Sequence, residues 1–141
     1  MSVEQATPAA KVHLLVTTHE RKVLDVECDE VTLPGRLGYF GVLPGHIPFI
    51  STLKVGELMY RVGKREQYLV LSWGFCEVAD DRVTVLAEFA EEPAQIDVVA
   101  AEREAEEAQA LLGSTADEEL ARALARLETA VARIQVARRP R

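Results

Sequence analysis

The most informative segment of this 141-residue chain, the Gly/Pro segment, reads Gly38-Tyr39-Phe40-Gly41-Val42-Leu43-Pro44-Gly45-His46-Ile47-Pro48-Phe49-Ile50-Ser51. It places three glycines and two prolines around a short apolar core. Glycine permits positive φ angles and close approach of the backbone, whereas proline fixes its own φ and keeps the preceding residue extended. This composition predicts a rigid, shaped loop rather than a helix or a strand.

Around this segment the chain has the pattern of short strands joined by turns. Three apolar pairs flank polar turns: 12–16 with 23–26, 55–62 with 67–71, and 75–78 with 83–87. Turns that recur about every 8–12 residues favour an antiparallel sandwich over alternating strand–helix units. We therefore predict an antiparallel β-sandwich over residues 11–90, preceded by a flexible N-terminal tail at residues 1–10.

After residue 90 the periodicity becomes helical, and residues 91–141 predict a helical hairpin. Asp97 is a plausible N-cap for a helix that runs to Leu112, and Gly113 suits the position that follows it. Residues 115–118 have capping-box spacing for a second helix, which should end near Ala137. Helices joined by so short a connection lie antiparallel. The predicted fold class is α+β, a sandwich followed by a two-helix hairpin.

The second helix has two different faces. Its apolar seam has heptad-like spacing and consists of Leu120, Leu124, Leu127, Val131 and Ile134. This seam would match one of mostly small residues on the first helix, which consists of Val98, Ala101, Ala105, Ala108 and Leu112. Arg122, Arg126 and Arg133 share the opposite side, within about 40° at 100° per residue. One interpretation is a plain helix pair with a solvated arginine face. The other is a mobile hairpin, because alanine buries few CH₂ groups and a thin seam cannot hold two helices without docking.

Composition and motifs exclude several functional classes. The net charge of −7 argues against nucleic acid as a partner. No apolar run approaches the length of a membrane span, so direct membrane insertion is not expected. The two cysteines, Cys28 and Cys76, predict buried free thiols in a reducing compartment. Metal-binding and nucleophile motifs are missing, and His46 is better interpreted as a hydrogen-bonded loop anchor. The sequence does not predict an enzyme that acts alone.

Two motifs carry a family resemblance. Residues 38–48 fit Gly-x-x-Gly-[Ile/Val]-x-Pro-Gly-His-x-Pro, which resembles the signature loop of the epsilon subunit of bacterial F-type ATP synthases, the equivalent of chloroplast epsilon and mitochondrial delta. Residues 71–78 resemble the family's Leu-Ser-Gly-Gly-[Ile/Phe]-x-Glu-Val, with Trp73 in place of the first glycine. With the order of elements, the resemblance covers about residues 11–137.

The resemblance implies a non-catalytic rotor subunit of the central stalk of a proton-translocating ATP synthase, which couples rotation to ATP synthesis. It implies a sandwich bound to the gamma subunit, contact with the c-ring through the Gly/Pro segment, and a hairpin that can extend to inhibit ATP hydrolysis at the catalytic alpha and beta subunits. The subunit would be peripheral, at the cytoplasmic face of the bacterial cell membrane.

The resemblance also assigns residues. Tyr39 and His46 fall in the part of the segment that would face the c-ring. Many relatives carry Glu where this chain has Tyr39, so a packing or hydroxyl contact is expected there. Arg122, Arg126 and Arg133 match the basic face that in relatives meets acidic residues of the beta subunit, and arginine–carboxylate pairs are strong contacts.

One motif departs from the family pattern. Several bacterial relatives bind ATP at the hairpin through Ile/Leu-Asp-x-x-Arg-Ala, and this chain keeps Ile96 and Asp97 but has Ala100 in place of the arginine. Without that guanidinium we expect weak or absent ATP binding and no cofactor. Two alternatives remain: a stand-alone nucleotide sensor, which Ala100 disfavours, and a β-sandwich adaptor or carbohydrate-binding module, which one Trp and 6% aromatic residues disfavour.

Overall fold

The computed structural model describes residues 10–113 and 116–140, and within these ranges strands come first and helices follow. The strands are β1 (Val12–Thr17), β2 (Lys22–Cys28), β3 (Glu30–Gly35), β4 (Gly38–Val42), β5 (Phe49–Leu53), β6 (Gly56–Val62), β7 (Arg65–Ala79) and β8 (Arg82–Glu91). The helices are α1 (Val98–Leu112) and α2 (Asp117–Arg138), preceded by a 3-10 turn at Pro93–Gln95. The predicted α+β class is confirmed. The predicted tail falls, apart from residue 10, outside the described residues, as does Thr115.

The strands wrap into a sandwich. Their order is β2-β1-β8-β7-β5-β3-β4, and β6 pairs with both β3 and β7. β5 and β6 therefore both bridge β3 to β7, which folds one sheet into two layers. The pairings are antiparallel as predicted, apart from β1 with β8, which is parallel.

The core lies between the layers and follows from alternation along each strand. In β1 the side chains of Val12, Leu14 and Val16 are buried, while the residues between them are half-buried. Cys28 and Cys76 are buried free cysteines, as predicted. Burial raises the pKa of the Cys76 thiol to about 11, so the group stays protonated and behaves as a small apolar side chain.

The prediction that residues 38–51 form one loop is wrong in part. Residues 38–42 form β4, which pairs along β3, and Phe49 begins β5, which pairs with β7. Only residues 43–48, the β4–β5 loop, are irregular. Tyr, Phe, Val and Ile favour strands, and the two glycines of β4 are tolerated in a strand at the end of the sheet order.

β7 is one bent strand where the sequence indicated two. Its first half pairs with β6 and its second half with β5, while β8 follows it on the other side. The change of partner falls at Trp73, whose φ is +34°. A Cβ on Gly74 would lie 2.1 Å from the Leu86 carbonyl oxygen, so only glycine fits beside β8 here.

The helices begin and end close to the predicted residues. Asp97 caps α1, and its Oδ1 accepts a hydrogen bond from the Ala100 N–H at 3.0 Å. Gly113 follows α1 with φ −86°, which is right-handed, so the left-handed glycine stop is not formed. Ala116 precedes α2 without a side-chain cap, and the helix continues to Arg138.

Candidate functional site

Tyr39 lies on the surface of β4, with 54% of its side chain exposed. Its hydroxyl oxygen accepts a hydrogen bond from the Glu57 N–H at 3.1 Å. The hydroxyl also passes over Gly56, where a Cβ would lie 2.6 Å from it. Tyr39 therefore links β4 to the start of β6 through its hydroxyl while one side of the ring stays open to solvent.

The β4–β5 loop is held by local hydrogen bonds and by one longer-range contact. The His46 N–H donates to the Leu43 carbonyl at 3.1 Å, and Nδ1 of His46 lies 2.7 Å from the Ile47 carbonyl. The Gly45 N–H donates to Oδ1 of Asp81 in the β7–β8 turn at 2.7 Å. His46 is thus a hydrogen-bonded loop residue. Ile47 beside it is 72% exposed.

Phe49 packs between the surroundings of Tyr39 and His46, the two residues predicted to face the c-ring. Its ring lies 5.2 Å from that of Phe40, the neighbour of Tyr39, in an edge-to-face arrangement. The same ring lies 5.9 Å from the His46 imidazole. Aromatic pairs at these distances are stabilising, so β4 and the β4–β5 loop pack as one aromatic unit.

An exposed apolar patch on the sheet escaped the sequence-based prediction. The apolar patch consists of Ile50 on β5, Trp73 and Phe75 on β7, and Leu86 on β8, exposed by 71%, 44%, 48% and 41%. Phe75 pairs directly with Leu86 across the two strands. The signal was present in the sequence: Phe75 and Leu86 alternate with the buried Cys76, Val85 and Ala87. Alternation therefore assigns them to the outer face.

Trp73 combines strain with exposure. A bulky residue at positive φ is a genuine outlier, and such positions cost about 1–3 kcal/mol. Trp73 is also 44% exposed, so much of its surface is not packed within the chain. Trp73 is therefore a strained and exposed aromatic residue of the apolar patch.

The three arginines predicted to act as a group have different partners in the structure, although Arg126 and Arg133 line one cleft. Arg122 is 76% exposed and lies 3.8 Å from Glu118 of its own helix. Arg126 hydrogen-bonds through Nε to Oε1 of Glu104 on α1 at 2.5 Å, and this bond lowers the pKa of the Glu104 carboxyl. The solvated arginine face, one of the two interpretations of this side of α2, does not describe Arg126, whose guanidinium contacts α1.

Arg133 is the best-anchored arginine of the three. Its Nε and Nη2 donate to Oε1 and Oε2 of Glu91 on β8 at 2.8 and 3.2 Å. The side chains are only 23% and 13% exposed. Partly buried two-bond pairs are among the stronger charge-assisted contacts, so Arg133 fastens α2 to the sandwich.

The predicted leucine seam of α2 is also corrected. Leu124 and Val131 are 44% and 39% exposed, whereas Ala123 and Ala130 are buried. These alanines share the side of Arg126, which faces α1, and α1 in turn buries Ala101 and Ala108. Alanines seven residues apart on both helices let the backbones approach closely, so small residues close the hairpin and the leucines stay partly outside.

The C-terminal half of α2 docks on the sandwich through a small cluster. Ala132 and Val136 pack with Val55 and Val70 of the sandwich, and Tyr68, Phe89 and Ile96 border this cluster. Just beyond the helix, Arg139 makes two hydrogen bonds to Glu57 at 2.9 and 3.0 Å and stacks over the Tyr68 ring. Among the described residues, this small apolar cluster and the ion pairs of Arg133 and Arg139 connect α2 to the sandwich.

The two residues that this chain keeps from the ATP-binding motif of its relatives, Ile96 and Asp97, have structural roles. Ile96 packs against the cluster between α2 and the sandwich, and the Asp97 carboxylate is occupied in capping α1. A nearby cleft on the hairpin contains Arg126 and Arg133, but Glu104 and Glu91 pair with these arginines. Among the described residues, no group of three or more His, Cys, Asp or Glu side chains could hold a metal ion. No helix there is long and apolar enough to cross a membrane.

Comparisons with known proteins agree with this architecture. The family described as "ATP synthase, Delta/Epsilon chain, beta-sandwich domain" matches residues 11–93. An ATP synthase epsilon chain of Syntrophobacter fumaroxidans is 48% identical over 92% of this chain and 97% of its own length. ATP synthase epsilon chain 2 of Syntrophotalea carbinolica is 47% identical over 93% and 96%.

Solved structures give the same result. A chain in the cryo-EM structure of Euglena gracilis mitochondrial ATP synthase (OSCP/F1/c-ring) superposes with a TM-score of 0.79 at 25% identity, over 93% of this chain and 84% of that one. A chain of the Tetrahymena thermophila mitochondrial ATP synthase central stalk and c-ring shares the fold, with a TM-score of 0.59 at 13% identity, over 93% and 99%. The resemblance carried by residues 38–48 and 71–78 is confirmed. The chain belongs to the delta/epsilon-chain family of ATP synthase.

Proposed function

We propose that this chain is the non-catalytic epsilon-type subunit of the central stalk of a proton-translocating ATP synthase, with a sandwich that binds the rotor shaft and a hairpin that can act as a brake on ATP hydrolysis. The observation that carries the proposal is the contrast between an open apolar patch on a stiff sheet and a hairpin held by ion pairs. It is supported by relatives named ATP synthase epsilon chain. The stalk role also accounts for a chain to which we assign no catalytic residue of its own.

The apolar patch is the proposed contact with the gamma subunit. Ile50, Trp73, Phe75 and Leu86 lie on paired strands that a large core holds rigid. Exposed aromatic residues at such a patch are typical of the centre of a protein–protein interface. The β4–β5 loop and Tyr39 are the proposed contact with the c-ring, through the exposed ring of Tyr39 and the surface around His46.

The hairpin is the proposed brake. In the docked form Arg126 and Arg133 are neutralised by Glu104 and Glu91 of the same chain, and Arg122 is paired only weakly. Acidic residues of a catalytic beta subunit could engage Arg133 only after α2 separates from the sandwich, and Arg126 only after α2 also separates from α1. The docked form is therefore the non-inhibiting one.

ATP is not a proposed ligand of the hairpin. Ala100 offers no guanidinium, the Asp97 carboxylate caps α1, and both arginines of the hairpin cleft are already paired. Isothermal titration of ATP into the full chain should show no binding in the micromolar range. A micromolar dissociation constant would contradict this part of the proposal.

The patch is tested by charge insertion. Phe75→Asp and Leu86→Asp should weaken binding to purified gamma subunit at least about tenfold, because truncation of a central interface residue costs about 2 kcal/mol or more. Val99→Asp is the matched control, since Val99 is 65% exposed on α1 away from the sheet. Equal affinities for all three variants would refute the gamma contact.

Two substitutions at the hairpin test the brake, because they should change the rate of ATP hydrolysis in opposite directions. Glu91→Gln releases Arg133 without removing it, so ATP hydrolysis by the whole enzyme should fall; Arg133→Ala removes the braking charge, so hydrolysis should rise. Truncation after Glu92 should also raise hydrolysis. Glu118→Gln serves as the control, because its arginine partner is already exposed. The same direction of change in Glu91→Gln and Arg133→Ala would leave the brake without support.

The location follows from the partners. We place the subunit at the cytoplasmic face of the bacterial cell membrane, held there as a peripheral subunit by gamma and the c-ring. Washing membranes at low ionic strength should release it together with alpha, beta and gamma. Recovery of the chain alone would instead favour the stand-alone sensor or adaptor.

A further inference from the structure

The β4–β5 loop is tied to the β7–β8 turn by one hydrogen bond between residues that are 36 positions apart. Oδ1 of Asp81 accepts from the Gly45 N–H at 2.7 Å. The other hydrogen bonds of residues 43–48 within the described chain are local: the His46 N–H to the Leu43 carbonyl, and the His46 ring to the Ile47 carbonyl. The Asp81 contact is therefore the one that fixes the loop relative to the sheet.

Asp81 is itself firmly placed. Its carbonyl oxygen accepts a hydrogen bond from the His13 N–H on β1 at 2.8 Å. Its φ is +59°, and that of its neighbour Asp80 is +51°, as a two-residue turn between twisted strands requires. Glycine or asparagine suits such positions best, and a carboxylate is not needed for the turn itself. The side chain at residue 81 can therefore serve a second purpose.

That purpose follows from the geometry of Gly45. Its φ is +89°, and nothing lies within 4 Å of where its Cβ would be, so glycine permits this conformation and no side-chain packing holds the backbone here. A charge-assisted bond to the amide of this residue restrains that backbone and sets the orientation of the next residues, His46 and Ile47. A carboxylate accepting from a backbone N–H is a stronger restraint than a neutral acceptor.

We propose that Asp81 is a positioning residue for the β4–β5 loop, which holds the Gly45 amide so that His46 and Ile47 are presented to the c-ring in one orientation. The functional half of this assignment rests on the proposed function, in which this loop faces the ring. The β7–β8 turn then supports the partner-facing loop, because displacement of the turn would displace the loop.

The first test uses the full chain alone and does not depend on any partner. Amide hydrogen exchange at Gly45, followed by NMR, should become about tenfold faster in Asp81→Gly, because a bond to a charged acceptor is lost. Asp81→Asn should restore protection, since its side-chain oxygen can still accept. Asp80→Gly is the matched control: it relaxes the same kind of backbone strain one residue away and should leave Gly45 unchanged. Unchanged exchange in Asp81→Gly would overturn the proposal.

The second test uses membrane vesicles that carry the whole ATP synthase. The ratio of ATP-driven proton pumping to ATP hydrolysis should fall in Asp81→Gly, remain normal in Asp80→Gly, and recover in Asp81→Asn. A loss that the asparagine variant does not rescue would overturn the positioning role. Faster Gly45 exchange with a normal pumping ratio would support the tether but overturn the c-ring assignment of the loop, so the two failures can be told apart.

Discussion

The sandwich and the hairpin are stabilised by different kinds of contact. The sandwich buries a continuous core of valine, leucine and cysteine side chains, many of them with no exposed surface. The hairpin closes on alanines and rests on the sandwich through Val55, Val70, Ala132 and Val136, with ion pairs at Arg133 and Arg139. Burial of a large apolar core is costly to undo, whereas a small apolar cluster and a few ion pairs, of which Arg133–Glu91 is the most buried, hold the hairpin less strongly. One region is therefore built to stay folded and the other to separate without unfolding the first.

The largest effect should come from the sandwich core. Leu71→Ala should lower the free energy of unfolding by about 2–5 kcal/mol, because the side chain is fully buried and the cavity left behind is not filled. Urea denaturation followed by circular dichroism measures it. Leu124→Ala is the control on α2: with 44% of its side chain exposed, it should change stability by less than about 1 kcal/mol. Comparable losses of unfolding free energy in the two variants would contradict the difference in stability between the sandwich and the hairpin.

A smaller and more local effect is expected at the hairpin. Arg133→Met should weaken docking of α2 by about 1.5–3 kcal/mol, the range for hydrogen bonds to charged groups. Hydrogen exchange should therefore accelerate along α2 while the strands keep their protection. Arg122→Met makes the same chemical change at an exposed site and should leave hydrogen exchange in both regions unchanged. Faster exchange in β7 and β8 as well would show that the two regions unfold together.

Trp73 provides a test within the sandwich itself. Trp73→Gly should raise the free energy of unfolding by up to about 1 kcal/mol, because glycine adopts a φ of +34° without strain. Thermal unfolding measures the gain. The same variant should bind gamma more weakly if the indole belongs to the docking patch. Lower stability would mean that the ring packs on the sheet more than it strains the backbone.

The smallest effect is a pH dependence at Asp29, beside the β6–β7 turn. Its carboxylate accepts hydrogen bonds from Lys11 and from the Gly63 N–H, and these contacts lower its pKa from the usual 3.8. The contribution to stability is thus present above pH 3.8 and is lost as the pH falls through the lower pKa of the folded chain. The urea midpoint should therefore fall less between pH 5 and pH 2.5 in Asp29→Asn. An identical acid dependence in both proteins would contradict this role.

Local patterns predicted the elements well and their contacts less well. Alternation and turn chemistry located the strands and both hairpin turns at 63–65 and 79–82, and Asp97 located the start of α1. The heptad spacing of the leucines on α2 suggested a buried seam, yet close approach of the backbones selected Ala123 and Ala130 instead. Such competition between large and small residues depends on the partner helix, which one sequence pattern does not specify.

Contacts between distant segments were the hardest part of the site to foresee. Nothing in the spacing of Arg126 and Arg133 indicates that Glu104 and Glu91 lie opposite them, because these pairs depend on how α2 lies against α1 and β8. The hydrogen bond of Asp81 to Gly45 likewise joins two turns that meet only in the folded sandwich. The apolar patch could have been found, since Phe75 and Leu86 occupy the outward positions of otherwise regular strands.

The alanine seam has a consequence for solubility. Along that seam the buried residues of the described chain are alanines, at positions 101, 108, 123 and 130. Proteins that expose large apolar patches tend to aggregate, and the methyl groups of four alanines do not form a patch of that size. Separation of the two helices would therefore wet less apolar surface than separation of a seam of interlocked leucines, which limits the tendency of an open hairpin to self-associate.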